Sequence, residues 1–254
     1  MTVRPPGVRP GPAAASALVW WCAASLLAWV ALLGMVLSRT GLAQDDSPVL
    51  GWLVGHRSSL ATTLLAAVSG TPLDAAAALV AGGLAGVIAL RARSVWPVLT
   101  LVGAVGGAVV LAELVKVLVH RSRPPVATML GTPETGSGFP SAHTLVFTAL
   151  AGAAALVVWR ATGSRPVRAL AVTVAVVASV AMGISRLYLG DHWLTDVLAS
   201  YALAAALLTA IALLTAPGTV RDRWVAVVPR RRPAVPPGLP GDRPADPMST
   251  GPVR

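Results

Sequence analysis

A chain of 254 residues that is 55% hydrophobic, 12% charged and of mean hydropathy +0.73 lies far outside the usage of water-soluble domains. Its formal net charge of +10 does not read as nucleic-acid binding, because much of the arginine excess sits in short connections and in the C-terminal segment, as membrane topology requires. The single cysteine, Cys22, falls inside an apolar run, which excludes an internal disulfide and a cysteine-based metal site.

Residues 1–14 are rich in proline and glycine and read as a disordered head. The first span is expected from Ala15 to Leu37. A signal peptide cut after Ala43 is the alternative, but the apolar region is too long for a usual signal. Thr40 to Ser58 forms a polar loop with an interfacial patch around Trp52. From Ser59 to Leu90 the chain is too long for one simple span, and Gly70-Thr71-Pro72 breaks it. A helix from Ser59 to Ser69 and a second span from Leu73 to Leu90 follow, with a single kinked helix as the alternative. Asp74 then reads as a helix-start carboxylate.

The third span is expected over Trp96–Val119 and, after a polar loop from His120 to Pro140, the fourth over Ala142–Trp159. The fifth runs to Ile184 and the sixth from Trp193 to Thr215. Residues 217–254, with Arg230-Arg231-Arg232, read as a disordered proline- and arginine-rich tail suited to anionic inner-leaflet lipids. The fold class is therefore all-α: a six-span membrane bundle over residues 15–216. Arg91, Arg93, Arg160, Arg165, Arg168 and the terminal arginines fall on one side, so both termini are expected in the cytoplasm of a plasma-membrane protein.

Three polar clusters then lie near the outward face. Lys116, the only lysine, stands near a span end, seven residues or about two helical turns before Arg123-Pro124. Its alternative role is snorkelling, paired with Glu113. Pro140-Ser141-Ala142-His143 opens the fourth span. Ser141 can be an N-cap and His143 an interfacial polar residue, yet the helix start, hydroxyl and imidazole also make an anion site. The third cluster, Ser185 to Asp196, carries Arg186, His192 and Asp196. A carboxylate four residues from His192 can hold one ring nitrogen and leave the other free as base or nucleophile. A metal held by His143, His192 and Asp196 is weighed against three neighbouring cations, Lys116, Arg123 and Arg186, which repel a metal ion and neutralise a phosphoryl group.

Lys116-x6-Arg123-Pro124, Pro140-Ser141-x-His143 and Ser185-Arg186-x5-His192-x3-Asp196 occur in order, and together this set resembles the type-2 phosphatidic acid phosphatase family. That superfamily includes glucose-6-phosphatase and the vanadium-dependent haloperoxidases. Ala142 stands where many members have glycine. The resemblance implies that His192 attacks phosphorus, that Asp196 fixes its tautomer, and that His143 protonates the leaving oxygen. Lys116, Arg123, Ser141, Arg186 and the backbone N–H of Ala142 would hold the phosphoryl oxygens, with no metal or cofactor. Arg121 and His120 do not match the motifs and are expected at best to contact substrate or headgroup, and Asp191 likewise falls at a variable position. The implied substrate is a lipid phosphate or diphosphate in the bilayer's outer leaflet: undecaprenyl diphosphate first, then phosphatidylglycerol phosphate or phosphatidic acid. A transferase, a haloperoxidase-like enzyme and an anion transporter are the competing readings.

Overall fold

The computed structural model describes residues 12–215. These residues form eight α-helices and two short 3-10 turns, with no strand among them. The helices are α1 (Pro12–Ser38), α2 (Asp46–Gly55), α3 (Ser59–Val68), α4 (Thr71–Ala92), α5 (Trp96–Val119), α6 (Ala142–Ala161), α7 (Arg165–Tyr188) and α8 (Leu194–Leu214). All but α2 and α3 are long and apolar enough to cross a membrane. The expected tail and most of the expected head lie outside the described residues.

The breaks follow local chemistry. Ser58 caps α3, its hydroxyl accepting from the Ala61 N–H at 3.3 Å. Ser69 and Gly70 separate α3 from α4, so the stretch forms two helices instead of one kinked span. α4 and α5 both end on a left-handed residue, Arg93 and His120. α5 matches the expected bounds. α7 runs four residues past the expected Ile184. The Tyr188 hydroxyl accepts from the Ser58 N–H at 2.9 Å, and that distant anchor holds the extra turn against α3.

α6 packs against α5, α7 and α8, while α1 runs along α8. Ala104, Ala108 and Ala112 recur every fourth residue of α5 and meet Leu145, Ala149 and Ala153 of α6 and Leu203 and Ala204 of α8. Such small side chains let helices approach closely where lipid removes the hydrophobic drive between them. The opposite surfaces remain apolar: Leu79, Val80, Val110, Val117 and Leu118 are exposed. That outer coat suits hydrocarbon.

The end of α5, the start of α6, the end of α7 and the start of α8 meet at one end of the bundle, joined there by α2 and α3. At the other end Arg160 donates to the Ala212 carbonyl at 3.0 Å, and Arg168 lies 5.0 Å from the Trp159 ring centre. Thr40 to Ser58, expected as a polar loop, instead holds a 3-10 turn and α2, on which Trp52 is 62% exposed and stacks on His56 at 4.5 Å.

Candidate active site

Two irregular segments carry the polar clusters: the long connection from α5 to α6 and the tight turn from α7 to α8. They are pinned to each other. The Leu130 N–H donates to the Leu189 carbonyl at 2.8 Å, and Arg57 donates to the Thr128 carbonyl at 2.7 Å and the Tyr188 carbonyl at 2.8 Å. Gly190 makes the turn at φ +83°, where a Cβ would run into the Thr128 carbonyl. Gly190→Ala should therefore destabilise the protein by about 1–3 kcal/mol, read as a lower melting midpoint in detergent.

The turn buries His192, which is 1% exposed. Its Nδ1 lies 2.9 Å from the Gly138 carbonyl oxygen. A carbonyl only accepts, so Nδ1 carries the proton and Nε2 keeps its lone pair. The Arg123 Nη1 donates toward that lone pair at 3.2 Å.

Asp196 Oδ2 is 3.6 Å from His192 Nδ1, too long for a good hydrogen bond. The nearer acceptor to Nδ1 is thus the Gly138 carbonyl, with the Asp196 carboxylate standing behind it. The cause is that His192 precedes α8 instead of lying on it, so Asp196 turns to cap the helix, accepting from the Trp193 N–H at 2.9 Å.

The other oxygen of Asp196 is held by Arg121. The same guanidinium binds Asp46 on α2 and donates to the Thr195 hydroxyl at 2.7 Å. Asp46 also accepts from the Thr195 N–H at 2.9 Å and its hydroxyl at 2.8 Å. Arg121, expected to be a peripheral contact, is thus the hub of a buried network behind the histidine. Asp46 gave no sequence signal beyond that of a helix-start aspartate.

In front of the histidine stands an anion clamp. Glu134, on the long connection, is bound by Arg123 at 2.8 Å and by Arg186. Its oxygens lie 3.8 Å from His143 Nδ1 and 3.9 Å from His192 Nε2. Arg123 also donates to the Asp191 carbonyl at 2.9 Å, and Arg186 pairs with the Asp191 carboxylate at 3.0 Å. Burial opposes the charge on Glu134, but Arg186 and Arg123, followed by the two histidines, outweigh it and hold its carboxyl below the usual range. Burial pushes Asp191 up; Arg186 works against that rise and Glu134 adds to it.

The structure therefore brings Arg123, Arg186, His143, His192 and Asp196 together. Ser141 is fully buried as the N-cap of α6, with its hydroxyl 3.4 Å from the Thr144 N–H. Ala142 begins that helix. Lys116 forms an ion pair with Glu113 at 2.9 Å, the alternative its spacing allowed. Chemically, the arrangement offers a lone-pair nucleophile and a second imidazole on either flank of a doubly cationic anion clamp.

Residues 97–218 match the family model described as the PAP2 superfamily. Among solved structures, the chain is similar to the "first transmembrane PAP2 type phosphatidylglycerolphosphate phosphatase from Bacillus subtilis", with a TM-score of 0.65 and 19% identity. That alignment covers 84% of this chain and 100% of the other. At that identity the likeness is one of fold. No curated protein matches the sequence.

Proposed function

We propose, from the match of residues 97–218 to the PAP2 superfamily, that the chain hydrolyses a lipid carrying a terminal phosphate or diphosphate through a phosphohistidine. The observation that carries the reading is the Glu134 carboxylate, held by Arg123 and Arg186 with an imidazole 3.8–3.9 Å away on each flank. A phosphoryl group in that place would have His192 Nε2 as nucleophile and His143 as acid.

The His192 lone pair forms the N–P bond as the bond to the leaving oxygen breaks, and His143 gives that oxygen its proton. Water then attacks phosphorus, His143 takes a proton from it, and the N–P bond breaks to release phosphate. Asp196 stabilises the positive ring of the intermediate. Arg123, Arg186, Ser141 and the Ala142 N–H hold the phosphoryl oxygens, and Lys116 joins them once its ammonium leaves Glu113. The cations supply charge stabilisation that Mg²⁺ gives other phosphoryl-transfer enzymes, so metal and cofactor are unnecessary.

Arginines at the opposite end of the bundle support a site facing away from the cytoplasm across the plasma membrane, with both termini inside. An outward site suits recycling of an isoprenoid diphosphate carrier, which stands first among substrates. Phosphatidylglycerol phosphate, the substrate class in the Bacillus subtilis protein's description, stands second, and phosphatidic acid third.

The test is phosphate release by the purified protein in detergent with excess EDTA, offered each of the three lipids. Release undiminished by the chelator is expected, with the relative rates ranking the substrates. Release that requires an added divalent ion overturns the mechanism.

A further inference from the structure

Glu134 raises a question that hydrolysis alone does not answer, because its carboxylate occupies the place where a phosphoryl group would react. Three observations mark it as an occupant and not a fixed wall of the site. First, the clamp is only partly used. The Nε atoms of Arg123 and Arg186 are buried and have no hydrogen-bond partner, so the two guanidiniums hold more donors than one carboxylate engages. A phosphoryl group brings three oxygens. Second, Glu134 lies between Gly131 at φ +85° and Gly136 at φ +83°, neither crowded by any neighbour. Third, it borders a cavity of about 240 Å³, also lined by Thr62, Ser69 and Thr132, which leaves open space beside the carboxylate.

Building on the phosphatase reading, we propose that Glu134 is a specificity-determining residue: a tethered anion that every substrate must displace. A tethered group competes at a high effective concentration, of millimolar order for a short flexible linker. The bilayer around the site presents phosphodiester headgroups, each with one negative charge. Against two arginines, one such charge matches that of the carboxylate and gains little by displacing it. A terminal phosphate brings up to two charges and a third oxygen, and it displaces Glu134. The residue thus keeps bulk phosphodiester lipid out of the pocket and admits lipids ending in a phosphate.

The experiment measures binding of inorganic phosphate to the full-length protein in detergent micelles by calorimetry, with and without phosphatidylglycerol in the micelles. Glu134→Gln should bind phosphate roughly tenfold more tightly than wild type. Phosphatidylglycerol should weaken that binding in the variant and leave wild type unaffected. Glu134→Asp, whose shorter side chain loses reach, should shift the same way, and it serves if the glutamine variant fails to fold. Equal or weaker binding by the folded variants overturns the inference, as does equal competition by phosphatidylglycerol in variant and wild type. Arg186→Ala separates the two levels. If it weakens phosphate binding while Glu134→Gln fails to tighten it, only the tethered anion is lost. If phosphate binding is indifferent to Arg186, the phosphate pocket itself falls.

Discussion

His192→Ala should lower phosphate release by roughly 10⁴-fold or more, because the proposed covalent intermediate forms on its Nε2. Asp196→Asn is expected to cost much less, about 10²-fold. In a triad where the carboxylate alone fixes the tautomer, an amide reverses the imidazole and the loss is far larger. Here the Gly138 carbonyl at 2.9 Å already holds the Nδ1 proton, and Asp196 at 3.6 Å contributes mainly charge. Steady-state phosphate release from the preferred lipid, with folding checked by size exclusion, measures both values. Equal losses would show that Asp196 holds the ring after all. Full activity in His192→Ala would remove the nucleophile assignment.

Arg121→Ala should destabilise the protein by about 3–5 kcal/mol, since it strands two buried carboxylates. Asp46 is 3% exposed and Asp196 is fully buried, and Arg121 is the ion-pair partner of both. Desolvated charges of like sign repel, so the network loses its attraction and keeps its repulsion. The melting midpoint in detergent is the readout. Adding Asp46→Asn to Arg121→Ala should recover part of the loss, because one stranded charge is then gone, and a double-mutant cycle measures that coupling. Strict additivity would mean the two residues do not interact as their geometry implies.

The membrane helices were largely legible in the sequence, because a run of about twenty apolar residues has one economical solution in a bilayer. α5 spans Trp96–Val119, the expected range, and α6 extends two residues beyond Trp159. α7 was read short, since its last turn depends on Ser58 and Tyr188, residues 130 positions apart. The motif residues were legible as chemistry: arginines, histidines and an aspartate have no cheap reason to gather at span ends. What stayed hidden was everything that reaches the site through loop geometry. Gly138 acts by a backbone carbonyl, which no side-chain pattern reveals. Asp46 and Glu134 have the look of ordinary loop and helix-start acids until the chain closes around them. Lys116 shows the converse: its spacing pointed toward Arg123, yet α5 ends at Val119 and the ammonium turns to Glu113.

The Asp46 contact also bears on how far the segment carrying the motif residues is portable. Residues 97–218, the stretch matched by the family model, contain every motif residue but not Asp46, Arg57 or Ser58. A chimera joining that stretch to the N-terminal half of a relative would inherit the proposed nucleophile and the clamp intact. It would also inherit Arg121 facing Asp196 without its second carboxylate, and a Tyr188 hydroxyl without the Ser58 N–H. Productive exchange between relatives should therefore depend on an aspartate at the start of the recipient's α2, a position outside the conventional limits of the module.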